Sequence, residues 1–207
     1  CASINGVLIK LFSWSAMSIN ALGNLICVVV IIVYMLAVKH RFVFNKSVLL
    51  GGMFVFLTNL LSAYANKLTT VANAIVLQFT MPMFIILAMW IFFKERPKKF
   101  DIITSVVILI GIAFFVIDGL AVGNGFGNFL ALLSGVTCAG IYMLEKIPRN
   151  DSFSAIVIGK MMCFLIGIPA LMGESPLTGA AIGGMAVYGI VQGGLQFIFL
   201  PLGLRYA

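Results

Sequence analysis

The stretch VANAIVLQFTMPMFIILAMWIFF, Val71 to Phe93, decides how this chain folds. It carries no charge. As a helix it is roughly 34 Å long, enough to cross a hydrocarbon core of about 30 Å. In lipid every backbone N–H and C=O must find its partner within the segment, so such a run crosses as a helix. Outward from it the pattern recurs. Apolar runs fall at about Ala2–Ile19, Ala21–Val38, Ser47–Ala65, Ile102–Ile117, Asn128–Leu144, Phe153–Met172 and Ala180–Leu204. With Val71–Phe93 they predict eight crossings, and hence an all-α, polytopic transmembrane helical bundle.

Composition supports this class. Of 207 residues, 62% are hydrophobic and only 9% charged, with mean hydropathy +1.18. An ordinary soluble domain carries about 25% charged residues, so soluble globular and disordered readings both fail. The net charge of +7 comes from Lys and Arg in short gaps beside apolar runs, which suits topology and anionic lipid better than nucleic acid. Cys27, Cys138 and Cys163 lie inside apolar runs, and no metal-ligand spacing involves them or Cys1. No disulfide framework, metal site or cofactor is expected.

The basic gaps orient the bundle. Lys39, His40, Arg41 and Lys46 fill one gap, Lys94, Arg96, Lys98 and Lys99 a second, Lys146 and Arg149 a third. The intervening gaps hold only Lys67, Asp118 or Glu174. By the positive-inside rule, loops 39–46, 94–101 and 146–151 are cytoplasmic in a multi-pass protein of the cell (cytoplasmic, or inner) membrane. Lys67, Asp118 and Glu174 then lie outside.

A shift of 136 residues sets Lys10 on Lys146, Gly23 on Gly159 and Cys27 on Cys163, and a shift of 138 sets Lys67 on Arg205. The two copies are five spans apart, an odd number, so they enter the membrane from opposite sides. Inverted repeats of this kind recur in transporters, with the substrate site near the midplane between the halves. The repeat divides the chain into 1–119, a connector at 120–127, and 128–207. It also implies missing pieces: a first span beginning before Cys1, and two spans after Ala207. Ten crossings are expected of the intact protein, of which this chain, truncated at both ends, holds about eight.

Several segments resemble a known family. Ala65–Thr70 (ANKLTT) is similar to a third-helix ending, and Asn73–Pro82 (NAIVLQFTMP) to the small-residue start and proline of a fourth helix. Trp90–Pro97 (WIFFKERP) resembles the next helix end with its Glu-Arg turn, and Gly111 sits where a fifth helix carries glycine. Phe126–Tyr142 (FGNFLALLSGVTCAGIY) resembles the opening of a second repeat. Together these resemble the EamA-like transporters of the drug/metabolite transporter (DMT) superfamily. The resemblance implies a ten-helix inverted repeat that exports or exchanges small metabolites by alternating access, and no enzyme. One departure is Gly23-Asn24, where many members carry an arginine early in the second helix.

Polar side chains at membrane depth are the candidates for a substrate cavity. Lys160 lies roughly 12 Å into its span, where a lysine costs about 2.5–3.5 kcal/mol. It either contacts the cavity or snorkels back toward the headgroups beside Arg149; Lys10 is a weaker parallel. The fourth span offers Asn73 and Gln78, and Pro82 is a hinge candidate because it leaves the Gln78 carbonyl without its helical donor. Thr80 or a neighbouring helix would otherwise satisfy that kink. Asn59, Gln192 and Gln196 serve a cavity or simple interhelical hydrogen bonding. Trp14 and Tyr142 could stack on a planar solute or merely pack. Gly189 and Gly193 read as close helix packing.

The remaining features are bland. GNGFG at 123–127 has neither the strand nor the GK[ST] of a nucleotide loop and reads as a connector. Glu95–Asp101 reads as a solvated turn. There is no Walker motif, no HExxH and no GxSxG, and the acids sit near span ends, at Glu95, Asp118 and Glu145. Exchange or facilitated export is therefore expected ahead of an obligate proton relay. The expected partners are a small-molecule substrate and the lipid bilayer, with a homodimer allowed and no nucleic acid. The alternatives are a membrane-embedded binding or sensor component without translocation, and an intramembrane enzyme.

Overall fold

In the computed structural model, residues 15–119, 124–147, 150–173 and Gly189 are described. All regular structure among them is helical: α1 Ala16–Ala37, α2 Lys46–Leu68, α3 Val71–Gln78, α4 Met81–Phe93, α5 Lys99–Gly119, α6 Gly125–Glu145 and α7 Ser152–Leu171. Among the described residues, five segments are long and apolar enough to cross a membrane, with α3 and α4 together forming one of them. Of the predicted crossings, Ala180–Leu204 apart from Gly189, and Ala2–Ile19 as far as residue 14, lie outside the described residues.

Short polar residues start these helices by accepting an otherwise orphaned N–H of the first turn. Ser15 accepts from Ser18 N at 3.2 Å, Asn45 from Val48 N at 2.7 Å and Thr70 from Asn73 N at 3.1 Å. Asn124 caps α6 and Asp151 caps α7 in the same way. Two helix ends turn through a lysine in left-handed backbone, Lys39 after α1 (φ 54°) and Lys94 after α4 (φ 55°).

Two expected boundaries move. The gap placed at Asn20 is at Ser15 instead, so Asn20 lies inside α1 and is 5% exposed. The connector expected through residue 127 ends at Asn124, and Gly127 is helical, packed so closely on Leu68 and Thr69 that an added Cβ would sit 2.9 Å from Thr69 N. Val71–Phe93 is not one rod. It breaks at Phe79–Thr80: α3 ends, Thr80 turns back to donate to the Leu77 carbonyl at 2.7 Å, and α4 begins with Pro82 in its first turn.

The packed heart is built on α2, which lies against α6 and α7, while α1 lies against α7. Without a hydrophobic force between helices in lipid, close backbone approach through small residues drives such packing. An added Cβ on Gly159 would lie 2.5 Å from Gly52 O and 2.6 Å from Val55 Cβ; one on Gly167 would lie 2.4 Å from Ala21 Cβ. Cys27, Val28, Ile31, Met35, Val55, Ile156 and Val157 bury one another between α1, α2 and α7.

The two ends separate cleanly. At one, His40 pairs with Asp151, Ser47 donates to Asn150, and Lys146 pairs with Glu95, so the three basic loops share an end. At the other, Thr69 donates to Asn128 at 2.6 Å.

Candidate functional site

A cavity of about 830 Å³ lies among those three basic loops. Ile85, Ile86 and Met89 of α4, Tyr142 of α6 and Phe153 of α7 supply its apolar lining. Phe153 is held in place by Tyr34, at a ring-centroid distance of 5.5 Å, and by the edge of His40 at 5.4 Å. The polar lining comes from His40, Glu95, Arg96, Lys98, Asp101, Lys146, Asn150, Asp151 and Ser152.

Hydrogen bonds fasten this rim. His40 Nε2 lies 2.8 Å from Asp151 Oδ1, and the other Asp151 oxygen accepts from Ser154 N at 2.9 Å and from the Ser154 hydroxyl. Ser154 Oγ in turn accepts from Val43 N at 3.0 Å, which ties the loop after α1 to the start of α7. Lys146 Nζ donates to Glu95 at 2.5 Å and ties the turn after α4 to the end of α6. Both side chains of that pair are about half exposed (48% and 54%), so the pair sets position and contributes at most about 1 kcal/mol.

Lys160 sits deeper, 3% exposed in the α1–α2–α7 interface. Its Nζ donates to Asn59 Oδ1 at 2.8 Å, and Asn59 Nδ2 donates to the Val55 carbonyl at 2.7 Å. The lysine thus reaches across to an amide acceptor on α2. Asn24, 2% exposed, is held within its own helix by donating to both Asn20 oxygens at 2.7 Å. Thr58 and Thr137 bring their hydroxyls to 2.9 Å between α2 and α6.

Of the residues singled out in the sequence, Lys160 and Asn59 are brought together, and Tyr142 lines the cavity. Neither Lys160 nor Asn59 is among the cavity-lining residues. Asn73 is buried in the first turn of α3, by the end opposite the cavity. Gln78 is half-buried at the helix break, where its carbonyl faces Gly135 of α6, 3.3 Å from the position of an added Cβ. Pro82 follows that break, as the missing N–H predicts. Trp14, Gln192, Gln196 and Lys10 lie outside the described residues.

Sequence reasoning missed the charged rim. Glu95, Arg96 and Lys98 are exposed and Asp101 half-buried, as a solvated turn would have them, and all four also line the cavity together with His40 and Asp151. The signal was present, since three basic gaps on one side of a bundle must surround whatever opens between its helices.

No curated protein matches the chain, and no solved structure does. A family model does, over residues 1–117, more than half of the chain, and its description is the EamA-like transporter family. That match takes in α1 to α4, most of α5 and the helix break, and it accords with five apolar spans among the described residues. The chain therefore belongs to the EamA-like transporter family, membrane transporters of the drug/metabolite transporter superfamily.

Proposed function

We propose that this chain is part of a secondary transporter that exports or exchanges small metabolites by alternating access, with the cavity as its cytoplasmic-facing half-channel. The observation that carries the reading is the cavity itself. It lies among loops whose excess of Lys and Arg marks the cytoplasmic side, and one wall is the second half of a broken helix. A discontinuous helix beside a cavity suits a site that must change shape, because irregular backbone at membrane depth is tolerated where it borders protein or water.

Two pairs of contacts support mirror-related halves at 1–119 and 128–207. Gly159 meets Gly52 O, and Gly189 meets Gly23 O, where an added Cβ would lie 3.2 Å away. Gly159 is the repeat mate of Gly23 at the 136 shift, and Gly189 stands within one residue of Gly52's mate. Likewise Gly167 abuts Ala21, while their mates Ile31 and Val157 share one buried cluster. An antiparallel α1–α7 pair about a local two-fold axis accounts for both. In this reading one half rocks against the other about that axis, Tyr142 contacts solute in the cavity, and Lys160 with Asn59 forms a polar step at the junction of the halves.

Solute counterflow in proteoliposomes made with the full-length gene product tests this. Labelled small metabolites should exchange across the vesicle wall, and Tyr142→Ala should slow them severalfold. Lys160→Ala should impair flux more than Lys146→Ala. Equal flux in those two lysine variants would leave Lys160 a packing residue. Tight binding of a solute that never crosses would instead favour a sensor.

A further inference from the structure

We propose that the cavity seats the anionic group of an amphipathic solute, a carboxylate or a phosphate, between Arg96 and Lys98. The inference rests on the transport reading for the cavity's role, and adds the class of substrate it takes. It comes from accounting for every charge on the lining. All three acids are already engaged: Glu95 with Lys146, Asp151 with His40 and the first turn of α7, and Asp101 with the backbone N–H of Lys98 at 3.0 Å. Lys146 is engaged by the same pairing. Arg96 and Lys98 remain. Among the described residues neither side chain has an ion-pair or hydrogen-bond partner, and both line the cavity.

The turn that carries them is held from both sides. Lys94 turns left-handed, Glu95 N donates to Met89 O at 3.3 Å, and the Asp101 carboxylate fixes Lys98 N. Pro97 restricts the backbone of Arg96 to extended conformations. A guanidinium so presented offers a planar pair of donors matched to a carboxylate or phosphate, and the ammonium adds a second charge. Ile85, Met89, Tyr142 and Phe153 supply apolar lining in the same cavity for the body of the solute. The volume of about 830 Å³ falls within the roughly 300–1,000 Å³ of small-molecule sites. The surrounding Lys39, Arg41, Lys46, Lys94 and Lys99 add a positive field that concentrates anions at the mouth.

Equilibrium binding to the full-length protein in phosphatidylcholine nanodiscs tests the seat, with radiolabelled phenylacetate and phenyl phosphate as probes and phenylacetamide as uncharged control. Both anions should bind, displace one another and weaken as salt is raised, while phenylacetamide should not compete. Arg96→Gln with Lys98→Gln should weaken anion binding about tenfold or more. Arg96→Lys should lose only part of it, and Lys67→Gln, at the opposite end of the bundle, none. Competition by phenylacetamide equal to that of phenylacetate, or unchanged anion affinity in the double variant, overturns the proposal.

A lipid headgroup carries the same chemistry, so the measurement is repeated in phosphatidylglycerol nanodiscs. If phosphatidylglycerol abolishes probe binding, and its own retention depends on Arg96 and Lys98, the seat belongs to lipid and the solute proposal falls. Flux separates the remaining cases. Anion binding lost in the double variant, with no solute transported at all, removes the transport reading and keeps the seat. Undiminished flux of neutral solutes, with no anion binding, removes the seat and keeps transport.

Discussion

The packed trio α1–α2–α7 and the arm made of α4 and α5 come from comparably apolar sequence, yet they are held very differently. Half of the most apolar window of α1 is buried within the protein, against 11% for the window in Val71–Phe93. The trio is knit through Gly52, Gly159 and Gly167, whose added Cβ atoms would lie 2.8, 2.5 and 2.4 Å from atoms of the neighbouring helix. The arm has no buried residue in α4, and from α5 it turns Ile103, Val107 and Phe114 outward. Hydropathy selects segments for the membrane; small residues at the right spacing select which of them lock together. The trio is thus the closely packed region, and the arm, joined to α3 by a broken helix, is the thinly covered one.

Substituting a trio glycine should break this contrast most forcefully. Gly159→Ala places a methyl 2.5 Å from Gly52 O and 2.6 Å from Val55 Cβ, with backbone on one side unable to yield. Overpacking a close interface costs about 1–3 kcal/mol, and contact with backbone puts this case at about 2–3 kcal/mol. A lowered melting temperature in detergent, with Lys160 and Asn59 pulled apart as α7 shifts, is the expected result. Unchanged stability would mean that α2 and α7 do not approach as closely as described.

Pro82→Ala sharpens the comparison with a smaller effect of opposite sign. An alanine N–H can donate to the Gln78 carbonyl and extend α3 into α4 as one helix. The neutral bond so gained is worth about 1 kcal/mol, so the protein should melt slightly higher. Solute flux should fall severalfold, because a mended helix couples the arm to the rest of the bundle. A variant that both melts lower and transports less would show that Pro82 serves packing and not motion.

Much of this architecture was legible beforehand. A charge-free run of spanning length admits one solution in lipid, so the segments and their order followed from composition. Alternating charge placed loops 39–46, 94–101 and 146–151 at a common end, as the pairing of His40 with Asp151 and Lys146 with Glu95 bears out. Pro82 announced the break. What was not legible depends on contacts between distant residues. Asn20 fell between two apolar runs because it is polar, but inside α1 it finds its partner in Asn24, one turn along. Lys160 stayed open between cavity and headgroups because no sequence rule aligns it with Asn59 on another helix. The rim residues Arg96 and Lys98 carry two signals at once, topology and lining, and local pattern reports only the first.

The smallest effect is expected from the same substitution made in the arm. Gly111 lies in the interior of α5, and an added Cβ there would meet nothing within 4 Å. Alanine removes backbone freedom that glycine loses on folding, a gain of about 0.5–1 kcal/mol in water. In lipid the unfolded reference keeps its helices, so less of that gain is realised, and Gly111→Ala should leave the melting temperature unchanged or slightly raised, with flux intact. Set beside Gly159→Ala, one chemical change then gives opposite signs on two helices of similar apolar character. If Gly111→Ala proved as damaging as Gly159→Ala, some partner would have to pack against α5 as tightly as α2 packs against α7. The arm would then be a second locked interface, and the contrast drawn between it and the trio would fail.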